Sequence, residues 1–148
     1  MKVRLLFLVL FFCTISYSCD DEDHPIPDVY VDFKYSINNS QYAALQNPGG
    51  YAYVTGGYAG ICIYNLDGET FYAFDRGCTY NKKHSPLIFN EKENCMMHSD
   101  TLADCNSKYN VLLQGAVMSG VAKYGLKRYS ASLKGGYVYV YNDDYTNY

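Results

Sequence analysis

Alternation of apolar and polar residues over short segments is the feature that most constrains the fold of this chain. In the segment 29–37 every second residue is apolar, and the same period returns in the Tyr-Val-Tyr-Val-Tyr run of 137–141. A period of two places successive side chains on opposite faces of a β-strand. Asp67-Gly68 and Gly135-Gly136 lie between apolar segments and are typical of tight hairpin turns. These patterns predict a β protein.

The rest of the chain supports the same fold class. Further strands are predicted at 51–54, 60–65 and 71–75, only short strand fragments at 76–107, and a closing hairpin at 126–141. No segment has the period of an amphipathic helix, and 18 Tyr, 7 Phe and 12 Gly favour strands and turns over helices. A length of 148 residues suits one domain. We predict an all-β fold, either a small sandwich or a partly open barrel.

The N-terminal segment has the layout of a secretory signal peptide. A basic start at Met1–Arg4 is followed by the unbroken apolar run Leu5–Phe12 and then by small and polar residues. The apolar run is too short to span a bilayer as a stable helix. We therefore predict that residues 1–18 are a signal peptide and that the protein is exported to the cell envelope.

Cys19 follows the predicted cleavage point and resembles the acylated cysteine of bacterial lipoproteins. That resemblance implies attachment to a membrane through a lipid anchor, and the alternative is ordinary cleavage that leaves a thiol. Four acidic residues at 20–23 and the following Pro-Ile-Pro predict a solvated tether over 19–28. The acidic cluster also resembles surface-export signals of Bacteroidetes lipoproteins, which implies an outer-membrane, surface-exposed protein. The folded domain is predicted to be 29–148.

Charge and motifs exclude several functions. The formal charge is −3, and loss of Lys2 and Arg4 with the leader makes it −5, so nucleic acid is not expected as a partner. Catalytic and phosphate-binding motifs are absent from the sequence, so no enzyme activity is expected beyond an oxidoreductase role in electron transfer. Tyr137, Tyr139 and Tyr141 form an aromatic stripe, for which packing in the core or on the sheet surface is the expected role. The alternative is an exposed platform that binds glycans or envelope proteins, which are the candidate partners beside the membrane.

Two cysteine-containing segments alternate with regular segments along the chain. Cys78-Thr79-Tyr80 follows the strand predicted at 71–75, and Cys105-Asn106-Ser107-Lys108-Tyr109 precedes the next regular segment. A glycine-containing segment at 115–122 and the closing hairpin come after them. Over about residues 50–142 this order resembles Rieske-type [2Fe–2S] domains, in which two loops each provide one Cys and one His. The resemblance implies a Rieske-like β-sandwich or open barrel with two protruding loops.

The ligand set of that family is degenerate in this chain. The resemblance puts Cys78 at the first cysteine, Tyr80 at the first histidine, Leu102 at the second cysteine and Cys105 at the second histidine. A leucine cannot bind iron, and a phenol is a poor match for a thiolate-type cluster. We predict that the iron–sulfur cluster has been lost and that the protein is a binding or structural module. An electron-transfer protein with an altered [2Fe–2S] or other metal site is the alternative.

The cysteines outside the leader and the lipidation site are Cys62, Cys78, Cys95 and Cys105. In an exported protein such thiols often form disulfides. Because the two ligand loops of the resembled fold face each other, a Cys78–Cys105 disulfide is implied, with Cys78–Cys95 as the rival pairing. No metal is favoured. The alternative is a zinc site built from Cys78, Cys95 and Cys105 with His84 or His98.

Overall fold

The computed structural model describes residues 24–83, 85–99 and 105–142, and all structural statements below concern this part of the chain. It contains ten strands and one 3-10 helix, and none of its helices is long and apolar enough to cross a membrane. In chain order the elements are β1 (Asp32–Ser36), the 3-10 helix (Ser40–Gln46), β2 (Tyr51–Val54), β3 (Ile61–Asn65), β4 (Phe71–Asp75), β5 (Ile88–Asn90), β6 (Cys95–Met97), β7 (Lys108–Asn110), β8 (Ala116–Ser119), β9 (Arg128–Lys134) and β10 (Tyr137–Tyr141).

The strands form two antiparallel sheets. The larger sheet has six strands in the order β1-β10-β9-β4-β3-β2 and curls into a half-barrel, and the smaller has four in the order β5-β6-β7-β8. The predicted all-β fold class is confirmed, and the predicted hairpins at Asp67-Gly68 and Gly135-Gly136 connect β3 to β4 and β9 to β10. Both turns contain glycines with positive φ, which is the reason glycine is needed there.

The centre of the larger sheet is covered on both faces. All five residues of β3 are buried, and its side chains alternate between two apolar clusters. Cys62 and Tyr64 belong to the cluster that lies between the two sheets, whereas Ile61 and Ile63 belong to the cluster beneath the larger sheet. Burial on both faces explains why β3 is a continuous apolar run in the sequence and not an alternating one.

The segment 24–28 is packed against the domain, so the predicted solvated tether is wrong for this part of 19–28. Ile26 is fully buried, and a ring nitrogen of His24 lies 3.1 Å from the carbonyl oxygen of Gly125. Lys127 forms an ion pair with Asp28 and donates a hydrogen bond to the carbonyl of Ile26. The acidic composition of 20–23 suggested a solvated segment, whereas the burial of Ile26 and the polar contacts of His24 and Asp28 hold 24–28 on the domain.

The region 109–119 also differs from the prediction. The regular segment expected after Cys105 is a short strand, since β7 ends at Asn110, and the glycine-containing segment at 115–122 holds a strand of its own, since β8 begins at Ala116. The connecting turn includes Gln114 and Gly115, both with positive φ. β8 is an edge strand of the smaller sheet with mostly exposed residues, so it lacks the apolar alternation that identifies a half-buried strand.

Candidate metal centre

Two loops meet at one end of the domain. Loop 1, residues 76–87, joins β4 to β5, and loop 2, residues 98–107, joins β6 to β7. The base of loop 1 is closed by two hydrogen bonds: Leu87 N donates to the carbonyl of Arg76 at 2.8 Å, and Arg76 Nε donates to the carbonyl of Leu87 at 2.8 Å. These two hydrogen bonds fix the loop backbone at Arg76, two residues before Cys78.

Asp75, the last residue of β4, organises the start of loop 1. Its buried carboxylate accepts four hydrogen bonds, from Tyr58 N at 2.5 Å, Tyr129 Oη at 2.8 Å, Gly77 N at 2.8 Å and Ala59 N at 3.2 Å. Burial and the nearby carboxylate both raise the pKa of Tyr129, so the phenol remains a proton donor. The sequence pattern did not identify this role, although an acidic residue at the end of an otherwise apolar strand is a signal for it.

A second hydrogen-bond network links loop 1 to β7 and to the segment before β9. Thr79 Oγ1 donates to the carbonyl of Tyr124 at 2.6 Å, so it accepts the proton of Tyr109 Oη, 2.9 Å away. Tyr109 Oη in turn accepts from Thr79 N at 3.3 Å and lies 3.7 Å from Cys78 Sγ. Burial raises the pKa of Tyr109, which keeps this hydroxyl protonated.

Loop 2 is held at its far end by Ser107. Its buried Oγ accepts hydrogen bonds from Val121 N at 3.1 Å and Ala122 N at 2.9 Å, which ties loop 2 to the segment after β8. Gly120 passes directly over this residue with φ +96°, and a Cβ at that position would lie 2.3 Å from Ser107 Cα. The approach of the two backbones therefore requires glycine.

The two loops bring Cys78, His98 and Cys105 together. One ligand atom of each residue lies within 4.8 Å of the other two, and all three side chains are buried. Cys78 Sγ and Cys105 Sγ are 3.2 Å apart. Burial raises the pKa of Cys105, while hydrogen bonds from Ser107 act in the opposite direction, so this thiol holds its proton more tightly than an exposed cysteine does. The arrangement is suited to forming a disulfide or to holding one metal ion.

Other predicted site residues lie elsewhere. Tyr80 is 51% exposed, and Cys95 lies on β6 opposite Asn110 of β7, outside the group of three ligands. Burial is the main cause that raises the pKa of the Cys95 thiol. The predicted lipidation site Cys19, the cluster position Leu102 and the alternative ligand His84 fall outside the described residues.

The predicted Cys78–Cys105 pair is adjacent but not bonded. A disulfide has a sulfur–sulfur distance of about 2.05 Å, well below the 3.2 Å observed, and the four described cysteines are free thiols. Cys62 lies in the apolar core, and burial raises its pKa to about 12. A buried thiol of this kind is chemically inert. Cys78 and Cys105 differ from it because the sulfur of each lies next to the sulfur of the other.

The described residues do not supply the ligand set of a Rieske cluster. That cluster takes two sulfur ligands on one iron and two imidazoles on the other. Here the ligand atoms of two cysteines and one histidine lie within 4.8 Å of one another, and the residue at the first histidine position, Tyr80, is a largely exposed phenol. The described ligand set therefore lacks one imidazole, and its three ligand atoms are close enough together to contact a single ion.

Comparison with known proteins supports the fold. No protein-family model and no curated protein sequence matches this chain. Among solved structures, the ferredoxin of carbazole 1,9a-dioxygenase from Nocardioides aromaticivorans IC177 is similar, with a TM-score of 0.51 and 13% sequence identity. The match covers 78% of this chain and 99% of that one. At this identity the likeness is one of fold alone, and it confirms the predicted Rieske-like all-β architecture.

Proposed function

We propose that this protein is an exported, lipid-anchored module of the bacterial cell envelope whose Rieske-like domain has lost its [2Fe–2S] cluster. Its proposed role is binding or structural, with envelope proteins or glycans as partners at the outer membrane. The observation that carries the proposal is the donor set where the two loops meet: among the described residues it comprises one imidazole and two thiols, whereas a Rieske cluster needs two of each.

Each loop is held to the body of the domain by its own contacts. The Thr79–Tyr109 hydrogen bonds link loop 1 to β7, and Ser107 joins loop 2 to the segment after β8. Cys78 and Cys105 are themselves members of the apolar cluster between the sheets. Loops that are fixed to the domain by hydrogen bonds and apolar packing do not need an iron–sulfur cluster to hold them, which supports a structural role.

The packing of the segment 24–28 bears on the proposed anchor. If Cys19 carries the lipid, only residues 20–23 separate it from His24, whose ring contacts the domain. A chain extends by at most about 3.6 Å per residue, so the domain stays within about 18 Å of the acylated cysteine. We infer that the module works close to the membrane surface and does not reach far from it.

Cys19→Ala is expected to abolish incorporation of a tagged fatty acid into the protein when the full chain is expressed in a bacterial host. The physical reason is the loss of the thiol that accepts the acyl group. The matched control is Cys13→Ala, which removes the cysteine of the predicted signal peptide and should leave labelling unchanged. Labelling is read on a gel after purification. Wild-type protein without label, or Cys19→Ala with full label, would contradict the lipid anchor.

The full-length chain, purified in mild detergent under air and again without oxygen, is expected to contain far less than one iron and one acid-labile sulfide per chain. Its visible spectrum should lack iron–sulfur absorption, because the donor set is incomplete. Two irons and two sulfides per chain, lost in Cys78→Ala but retained in Cys95→Ala, would overturn the proposed loss of the cluster. That result would favour the second candidate function, electron transfer through an altered metal site, which the grouping of Cys78, His98 and Cys105 supports.

A further inference from the structure

We propose that Cys78, His98 and Cys105 form a binding site for a single zinc ion. Two sulfurs and one imidazole nitrogen are ligands that zinc prefers, and three protein ligands are a common set for zinc with an open fourth position. No other described His, Cys, Asp or Glu residue joins the group, and water or a small ligand from solution can occupy the fourth position. The proposal goes beyond the module proposed above and does not depend on its lipid anchor.

The spacing of the ligand atoms suits one ion. Two sulfurs at about 2.3 Å from a tetrahedral zinc are about 3.8 Å apart, and no two ligand atoms of one such ion can be separated by more than about 4.6 Å. Cys78 Sγ and Cys105 Sγ, at 3.2 Å, must move apart by only about half an ångström to reach zinc geometry. Closing to a disulfide requires a movement about twice as large, in the opposite direction. All three ligand atoms already lie within 4.8 Å of one another.

Each sulfur also has a polar neighbour that can fix its position. Ser107, two residues after Cys105, accepts hydrogen bonds from two backbone N–H groups at its Oγ, so its own proton remains available for a further acceptor. On the other side, Tyr109 Oη lies 3.7 Å from Cys78 Sγ, and because its proton goes to Thr79 Oγ1 it positions this sulfur without donating to it. Such outer partners orient metal ligands. Binding converts two thiols into two thiolates, so Zn²⁺ enters and two protons leave, and the charge of the buried site does not change.

The ligands differ from those that the Rieske resemblance implied. His98 directly follows β6 and begins loop 2, whereas the resemblance placed the ligands of loop 2 at Leu102 and Cys105. Sequence spacing alone would instead pair His98 with Cys95, three residues earlier. In the tertiary structure Cys95 lies outside the group of three ligands, and the thiols next to His98 are Cys78 of loop 1 and Cys105 of loop 2. Of the five residues in the predicted zinc alternative, the structure groups Cys78, His98 and Cys105 and leaves Cys95 outside the group. The fifth residue, His84, lies outside the described part of the chain.

The test uses the full chain, purified in mild detergent, reduced, and freed of metal with a chelator. Co²⁺ serves as the spectroscopic probe, and Zn²⁺ is then added to displace it. We expect one Co²⁺ per chain, with thiolate-to-metal charge-transfer absorption equivalent to two thiolates, and complete displacement by one equivalent of Zn²⁺. The variants Cys78→Ser, Cys105→Ser and His98→Gln should each weaken Zn²⁺ binding by more than about 100-fold, beyond the 10–100-fold cost of losing an outer partner.

Cys95→Ala is the matched control, since it removes a buried cysteine with a short sequence spacing to His98 and should leave Zn²⁺ affinity and the Co²⁺ spectrum unchanged. Circular dichroism of each metal-free variant shows whether it is folded, and His98→Gln keeps the size and polarity of the side chain if a cysteine variant does not fold. Absence of Co²⁺ and Zn²⁺ uptake by the reduced wild-type protein, or loss of uptake only in Cys95→Ala, would overturn the site. Neither result affects the proposed loss of the iron–sulfur cluster, which the iron and sulfide analysis decides separately.

Discussion

Asp75→Asn is expected to lower the free energy of unfolding by about 3–5 kcal/mol. The carboxylate accepts hydrogen bonds from four donors, two at each oxygen, and is fully buried. An asparagine keeps only one acceptor oxygen and turns an NH₂ group towards the other two donors, which leaves buried donors facing each other. Hydrogen bonds to a charged group contribute about 1.5–3 kcal/mol each, and unpaired buried groups cost about 1–3 kcal/mol. The measurement is urea unfolding followed by circular dichroism.

The matched control for this substitution is Asp32→Asn in β1. Asp32 is exposed and accepts one hydrogen bond from Tyr30 at 3.2 Å, so the change should alter stability by less than about 0.5 kcal/mol. Equal effects of the two substitutions would show that the carboxylate of Asp75 does not hold the start of loop 1. A large loss in Asp75→Asn alone would identify this residue as the main polar support beneath Cys78.

Gly120→Ala is expected to destabilise the protein by about 3–4 kcal/mol and to weaken the junction between loop 2 and the segment after β8. The new methyl group would lie 2.3 Å from Ser107 Cα and 2.6 Å from Ser107 N. Both contacts are with backbone, so a side-chain rotation cannot relieve them. Thermal unfolding followed by circular dichroism measures the loss.

Gly49→Ala separates the two causes of that loss. Gly49 has φ +83°, close to the +96° of Gly120, but its Cβ would meet nothing within 4 Å. The control therefore carries only the conformational cost of a left-handed residue, about 1–2 kcal/mol. If both substitutions cost the same, the contact with Ser107 does not matter. The expected additional loss in Gly120→Ala measures how firmly the backbone of Ser107 is held.

The strands that the sequence predicted correctly are those whose signal is local. β3, β4 and the β9–β10 hairpin combine apolar runs with glycine-containing turns, and their bounds agree with the structure to within two residues. β8 was missed because an exposed edge strand has no apolar alternation, and its identity comes only from its pairing with β7. The burial of Ile26 was missed for a similar reason, since the surface it covers includes Gly77, far away in the chain.

For the candidate site too, the sequence indicated one part and the tertiary structure decided the other. The resemblance of the sequence to Rieske-type domains implied that Cys78 and Cys105 lie on two loops of a β domain, because the order of strands, glycines and cysteines along the chain is similar. Only the tertiary structure decided that His98, and not Cys95, joins them, and that Asp75 and Gly120 support the loops. Residues on different strands meet through the register of the sheets and the packing between them. That register depends on contacts across the whole domain, which no short stretch of sequence contains.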